Sequence, residues 1–123
     1  MDAHTQYVIQ KNVRFNPLEV VDIPKVVAEC QEEWFNQTLC RVNDCLVRLG
    51  ILKGEFHWHR HEMEDEFFYV IEGRLLIDLE GREVELLPRQ GFTVPKGVPH
   101  RTRAPERTVV LMIEGSTVDP TGD

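Results

Sequence analysis

The sequence is poor in cysteine, and its few cysteines form no recognisable pattern. If Asn43-Asp44 is a two-residue hairpin turn, Cys40 faces Val47 rather than Cys45 across that hairpin. An odd number of cysteines argues against a disulfide framework, and no pair has the CxxC spacing of a zinc or redox site. We therefore predict buried, reduced thiols. The chain has 123 residues, and its three cysteines are Cys30, Cys40 and Cys45.

The sequence also lacks long apolar runs and clusters of basic residues. No run approaches the roughly 20 apolar residues that a membrane-spanning helix needs. The N-terminal stretch has neither the basic nor the apolar region of a secretory signal, which predicts a cytoplasmic protein. The formal net charge is −7, so neither nucleic acid nor an anionic membrane surface is an expected partner. This balance fits a soluble metabolic protein.

What the sequence does contain is a series of short β-type segments. From Gln37 onward, apolar and β-branched runs are interrupted by glycine or proline at intervals of roughly eight to twelve residues. The clearest hairpin turns at Glu80-Gly81, and another strand is predicted to end at Glu72-Gly73. This spacing predicts an all-β fold, either a sandwich or a small barrel.

The sequence predicts a single domain with an extension at each end, because no interdomain linker interrupts it. An edge strand is predicted around residues 7–9. Two short helical segments are predicted to begin at Pro17 and at Pro24, since proline favours the first turn of a helix. The three parts are an N-terminal extension over residues 1–36, a barrel over 37–115 and a C-terminal tail over 116–123.

Two predicted strands, at residues 67–71 and 109–113, are apolar on both faces. One face of each strand lines the interior of a barrel. The other face needs a second layer of structure or a partner subunit, and we take it as support for a homodimer.

The histidines carry the main functional signal. His57, His59 and His61 alternate along a predicted short strand, so their side chains share one face. Glu66 opens the next strand, and His100 follows a turn rich in proline and glycine. Three imidazole nitrogens and one carboxylate suit a single divalent Zn, Mn, Fe, Ni or Co ion. The pattern predicts a metal site formed by His59, His61, Glu66 and His100.

The sequence leaves alternatives open for several neighbours of this predicted site. His57 either lies beside the metal as a further donor or is exposed at the barrel mouth. The acidic stretch 62–65 is most simply a solvated turn, although one of its carboxylates could replace Glu66 as a ligand. Arg103 either binds an anionic substrate through bidentate contacts or forms a charged strand edge with Arg101.

Strand alternation also selects residues for the wall of the site. Phe68 shares the face of Glu66, whereas Tyr69 points to the other face, and Phe92 lies on the approach to His100. His57 or Tyr69 could be proposed as a proton shuttle, but Tyr69 is directed away, and the sequence offers no clear general base. The predicted substrate-binding residues are His57, Phe68, Phe92 and Arg103.

These residues resemble two motifs of a known family. The stretch Gly54-x4-His59-x-His61-x4-Glu66-x6-Gly73 resembles the first cupin motif, and Pro95-x-Gly97-x2-His100 resembles the second. The resemblance implies a double-stranded β-helix, or jelly-roll barrel, preceded here by a short helical segment. It also implies a dimer, and a divalent metal held at the barrel mouth by the three histidines and the glutamate.

The sequence further resembles a subgroup of small bacterial cupins, some of them described as mannose-6-phosphate-isomerase-like. This resemblance implies action on a small polar metabolite, such as a sugar or keto acid, by isomerase or dioxygenase chemistry. The alternative is a non-catalytic cupin that binds or senses a metal or a small ligand.

Overall fold

The chain is built mainly of β-strands in the computed structural model, which describes residues 7–118. This architecture confirms the predicted all-β fold. The strands are β1 (Val8–Gln10), β2 (Phe35–Val42), β3 (Cys45–Glu55), β4 (Glu66–Glu72), β5 (Leu75–Leu79), β6 (Arg82–Leu86), β7 (Gly91–Val94) and β8 (His100–Gly115), and helix α1 (Ile23–Glu29) precedes β2.

The long strand β8 organises the barrel. Along one edge it pairs antiparallel with β3. Along its other edge it pairs first with β5 and then with β4. Beyond these neighbours, β2 pairs with β3, β7 pairs with β4, and β1 adds a parallel edge strand to β2. His100 and Glu114 therefore lie near opposite ends of one central strand.

Alternation along the strands separates two apolar clusters. The first fills the barrel interior and includes Phe68, Val70 and Met112. The second lies on the outer face, where α1 packs Val26 against Leu49 and other side chains of β2, β3 and β8. Fully burying an aliphatic or aromatic side chain stabilises the fold by about 1.5–3 kcal/mol, so both clusters contribute to stability.

The N-terminal segment differs in part from its prediction. The second predicted helix exists as α1, with Pro24 in its first turn and the Asp22 carboxylate accepting a hydrogen bond from the Lys25 N–H at 3.1 Å. The helix predicted to begin at Pro17 is wrong. Leu18 has φ +71 there, which a helix does not allow, and the chain makes a turn instead.

The predicted hairpins are present in the register expected. Cys40 pairs with Val47 and Val42 pairs with Cys45 around the turn at Asn43. The three cysteines are free thiols, but the prediction that they are buried is wrong, because Cys30 and Cys40 are half-buried and Cys45 is exposed. Strand β2 begins at Phe35, two residues before the predicted start at Gln37.

The short strand predicted over residues 57–61 is wrong. Only His59 makes a β-bridge in this segment, and its partner is His100. Strand β3 continues to Glu55, past the break predicted at Gly54. Its pairing with β8 shifts register between Leu52 and Gly54, and such an irregularity bends a strand without ending it.

The outer apolar face of β4 and β8 is covered in part by α1. A groove of about 810 Å³ remains between the helix and the sheet, with Tyr69, Ile71 and Leu111 among its lining residues. The helix thus supplies much of the second layer, and the homodimer stays a prediction. No helix in residues 7–118 has the length and apolar character needed to cross a membrane.

Candidate metal centre

Two backbone contacts bring the histidines together. His59 and His100 exchange a pair of hydrogen bonds, each with an N to O distance of 2.9 Å. The carbonyl of His61 accepts a hydrogen bond from the N–H of Gly97 at 2.7 Å. Gly97 has φ +78, a conformation that favours glycine, and so shapes the turn before β8. These contacts join the segment after β3 to the start of β8.

Glu66, the first residue of β4, completes a compact donor cluster. One potential ligand atom from each of the four residues lies within 4.8 Å of all the others. Donors about 2.1 Å from a common ion are separated by at most about 4.2 Å, so the spacing is close to that of a metal site. Three of the residues are buried and His59 is half-buried. The structure therefore brings together all four predicted ligands, His59, His61, Glu66 and His100.

Backbone carbonyls orient two of the imidazoles. Nδ1 of His59 lies 3.1 Å from the carbonyl oxygen of His57, and Nδ1 of His100 lies 3.0 Å from that of Val98. A carbonyl oxygen only accepts hydrogen bonds, so each Nδ1 carries the proton. Each Nε2 is then left with its lone pair, as a metal-ligating histidine requires.

The contacts of Glu66 test whether these residues fit a metal. Its Oε1 lies 3.3 Å from Nε2 of His100 and 3.5 Å from Nε2 of His61. With the proton of His100 on Nδ1, two acceptor atoms face each other across the first of these distances. Such an arrangement is stable only with a cation between them, either a proton or a metal ion. The donor set of nitrogen and carboxylate oxygen fits a divalent transition metal.

The pKa values agree with this chemistry. Burial lowers the pKa of His59 from 6.5 to about 4, so its imidazole is neutral at pH 7 and able to bind a metal. Burial alone would raise the pKa of Glu66, but hydrogen-bonding contacts with His100 and His61 outweigh burial and lower that pKa. Glu66 is therefore a carboxylate at neutral pH, and it balances one charge of a divalent ion.

Sequence and structure comparisons place this arrangement in a family. The Cupin_2 model, described as a cupin domain, matches residues 48–114, which include all four donors. The chain is a cupin. An uncharacterized Bacillus subtilis protein, YdbB, is 42% identical over 90 residues, covering 72% of this chain and 80% of the relative.

Solved structures show the same fold. A cupin-2 domain protein from Shewanella frigidimarina has a TM-score of 0.75 and 30% identity, covering 78% of this cupin and 94% of the other chain. Protein NMB1881 from Neisseria meningitidis has a TM-score of 0.72 and 24% identity, with coverage of 79% and 99%. The second likeness shows the fold alone.

The wall beside the donors is mostly apolar. A cavity of about 20 Å³ adjoins His59 and Glu66, large enough for about one water molecule. Thr102 and Asn36 are its polar residues apart from the donors, and Asn36 already accepts a hydrogen bond from Arg48. The apolar residues of the wall are Trp34, Leu52, Phe56, Phe68 and Met112.

An aromatic cluster, formed by Tyr7, Trp34 and Phe56, lies beside the cavity. The rings of Trp34 and Phe56 are stacked with centroids 5.0 Å apart, and Tyr7 packs against both at 4.6 and 4.8 Å. Phe56 also contacts the ring of His59 edge-on at 5.2 Å. This cluster fills the space next to the donors, so a ligand larger than water must displace part of it.

The predicted substrate-binding residues have different placements. Phe68 is buried in the cavity wall, with its ring centroid 6.1 Å from that of His100. Phe92 is the register partner of Phe68 and packs against the interior cluster, but it does not line the cavity. The side chain of His57 is exposed and outside the donor cluster, but its ring lies edge-on to that of His59 at 5.4 Å, and its carbonyl orients His59.

Arg103 is not brought to the donors. It lies on the outer face, where its Nε donates to Asp78 at 2.6 Å and its Nη2 donates to Glu83 at 2.7 Å. Arg101 donates to the same Asp78 carboxylate at 2.7 Å. These hydrogen bonds, that from Arg103 foremost, lower the pKa of Asp78 below its usual 3.8. The arrangement is a surface ion-pair network.

The acidic turn is structured rather than merely solvated. Glu64 accepts a hydrogen bond from the hydroxyl of Thr117 at 2.6 Å, which ties the end of the described chain to this turn. Asp65 accepts one from the backbone N–H of Lys96 at 2.9 Å. Neither side chain belongs to the donor cluster, so Glu66 is the carboxylate that the structure places there.

Sequence reasoning missed three polar residues inside the barrel: Asn36, Arg48 and Glu114. Burial, and then contact with Glu66, raises the pKa of Glu114 to about 10, so Glu114 is protonated at neutral pH. Strand alternation could have revealed Glu114. It is an even number of residues from His100 along β8, so both side chains face the same side of the strand. The contact with Arg48 depends on the register between strands distant in sequence, which no local pattern shows.

Proposed function

We propose that this cupin binds one divalent transition metal through His59, His61, Glu66 and His100, and that the metal binds a small oxygen-donor ligand. The observation that carries the proposal is the convergence of two imidazole Nε2 atoms on Oε1 of Glu66. When bound, the metal would supply a Lewis acid that polarises a carbonyl or carboxylate oxygen. The chain supplies fixed donors and an apolar wall that limits water.

The wall favours a keto acid or diketone over a sugar. A sugar presents many hydroxyl groups, each of which needs a hydrogen-bond partner when it is buried. Thr102 and Asn36 are the polar partners available among the cavity-lining residues beyond the donors. A keto acid requires fewer such partners, because its carboxylate and carbonyl oxygens both bind a metal directly.

The geometry supports oxygenase chemistry better than isomerase chemistry. An isomerase moves a proton and needs a general base near the substrate. Among the described cavity-lining residues, no titratable group lies outside the donor set. Tyr69 lines the outer groove instead. The likeness to mannose-6-phosphate-isomerase-like cupins therefore stays a prediction from the sequence.

A second candidate function is non-catalytic binding or sensing. The observation favouring it is the small volume of the cavity, about 20 Å³, which the aromatic cluster nearly closes. A sensor needs the metal or ligand to bind, but it does not need space for a reaction. Turnover of any candidate substrate by the metal-loaded protein would decide between the two.

Metal binding is tested by elemental analysis of protein purified without added metal. We expect about one transition-metal equivalent per chain in the wild type, and a large loss in His59→Ala and His100→Ala, because each removes one of four donors. His57→Ala is the matched control and should keep its metal, because its side chain is outside the donor cluster. Metal-free wild type that also fails to bind added Zn, Mn, Fe, Ni or Co would contradict the proposal.

Ligand choice is tested with the cobalt-loaded protein, whose visible absorption reports changes in coordination. We expect pyruvate and acetylacetone to change the spectrum, and mannose 6-phosphate to bind at least about tenfold more weakly, a difference of about 1.4 kcal/mol. Phe68→Ala should admit larger keto acids, because it removes part of the wall. Equal or stronger binding of the sugar phosphate would show that the apolar wall does not select the ligand.

A further inference from the structure

A line of buried polar side chains runs through the apolar interior of the barrel towards Glu66. Arg48 is 2% exposed, Glu114 is 3% exposed and Asn36 is 4% exposed. Burying ionic groups costs several kcal/mol per ion unless they are paired and hydrogen-bonded. One buried cation with two polar neighbours in a small interior therefore needs a compensating set of contacts.

Their contacts supply that arrangement. Nε of Arg48 donates to Oδ1 of Asn36 at 2.8 Å and lies 3.3 Å from Oε1 of Glu114. The three side chains come from β2, β3 and β8, so this line ties three strands together across the interior. Arg48 is thereby held between an amide oxygen and a carboxyl group.

The line ends at the donor cluster. Glu114 and Glu66 are direct register partners in the adjacent strands β8 and β4. Side chains of such partners point to the same face with Cβ atoms about 4.5–5.5 Å apart. The register therefore places the carboxyl group of Glu114 beside that of Glu66, on the interior face of the sheet. Oε2 of Glu114 is buried and has no hydrogen-bond partner among the described residues, so one oxygen of this carboxyl group is available to face Glu66.

We propose that Glu114 is a positioning residue for the metal-binding carboxylate, with Arg48 fixing Glu114 and Glu114 fixing Glu66. This inference rests on the proposed metal binding by Glu66. A carboxylate has several ways to face an ion, and the contact with Glu114 selects one of them. Groups that orient a metal ligand in this way commonly change metal affinity by about 10–100-fold when removed.

The test compares two replacements of Glu114 in cobalt binding. Glu114→Gln keeps the shape, accepts from Arg48 through its amide oxygen and donates to Glu66 through its amide nitrogen. We expect its cobalt affinity within about threefold of wild type, with an unchanged cobalt spectrum. Arg48→Met/Glu114→Leu removes the whole support without leaving a buried charge, so it should fold. We expect this double variant to lose about 10–100-fold in affinity and to show an altered spectrum.

Two controls separate positioning from general loss of stability. Val109→Ala weakens the outer apolar cluster, far from the donor face, and should leave cobalt affinity unchanged. Circular dichroism confirms that each variant is folded before titration. The positioning role is wrong if the double variant matches the affinity and spectrum of wild type, or if Glu114→Gln loses as much affinity as the double variant. Failure of the wild type itself to bind cobalt would instead contradict the metal site.

Discussion

Replacing Arg48 with methionine is expected to lower the free energy of unfolding by about 2–4 kcal/mol, because it leaves two buried polar side chains without their donor. Arg48 is the largest fully buried side chain among the described residues, and its Nε lies between Oδ1 of Asn36 and Oε1 of Glu114. Methionine fills a similar volume but donates no hydrogen bond. The loss therefore comes from polar groups left unpaired in a medium without water, rather than from a cavity. Urea unfolding in the presence of a chelator measures the change.

A matched double variant identifies the cause of that loss. In Arg48→Met/Glu114→Leu, both members of the buried pair become apolar, and such replacements are often close to neutral. We expect it to be more stable than Arg48→Met by at least about 2 kcal/mol, a coupling that a double-mutant cycle detects. If Arg48→Met costs less than about 1 kcal/mol, water or another group must satisfy Glu114 in its absence.

Gly73→Ala is expected to lower the free energy of unfolding by about 3 kcal/mol. Gly73 has φ +91, a conformation that side chains rarely adopt. A Cβ at this position would lie 2.7 Å from the Cα of Thr108 and 2.8 Å from the carbonyl oxygen of Arg107. Both are backbone atoms of β8, so neither can move aside cheaply. The turn after β4 can approach β8 this closely only because residue 73 lacks a side chain.

Gly54→Ala is the control for backbone strain alone. Gly54 also has φ +91, but a Cβ there would meet nothing within 4 Å. We expect it to cost about 1 kcal/mol, the usual penalty for a side chain in this region of backbone conformation. The difference between the two variants in thermal or urea unfolding measures the steric contact with β8. Equal losses would show that conformation, not contact, sets the requirement for glycine.

The donor set could be predicted from the sequence because its signals are local. His59, His61 and Glu66 lie within eight residues, and the turn before His100 has its own proline and glycine pattern. Hairpin registers followed from two-residue turns for the same reason. The strand predicted over residues 57–61 failed because alternation of polar residues fits an irregular segment equally well, when a single bridge to His100 holds it.

The buried polar side chains that contact Glu66 and its neighbours could not be predicted, because their arrangement depends on pairing between strands that are distant in the sequence. Arg48 and Glu114 are 66 positions apart in the sequence, and only the β3–β8 pairing brings them to one face. Arg103 illustrates the opposite error. Its charge suggested an anion-binding role, but alternation along β8 directs it outward to Asp78, while Thr102 faces the cavity.

The aromatic cluster has a consequence for how such a barrel can diverge. Tyr7 and Trp34 precede the first long strand, whereas the four donors all lie between residues 59 and 100. Two of the three rings of the aromatic cluster thus belong to a stretch of the chain separate from the coordinating groups. Exchanging Trp34 for a smaller side chain would enlarge the cavity while every ligand to the ion stays in place. Related barrels can in this way come to bind different ligands while the coordination of the metal stays the same.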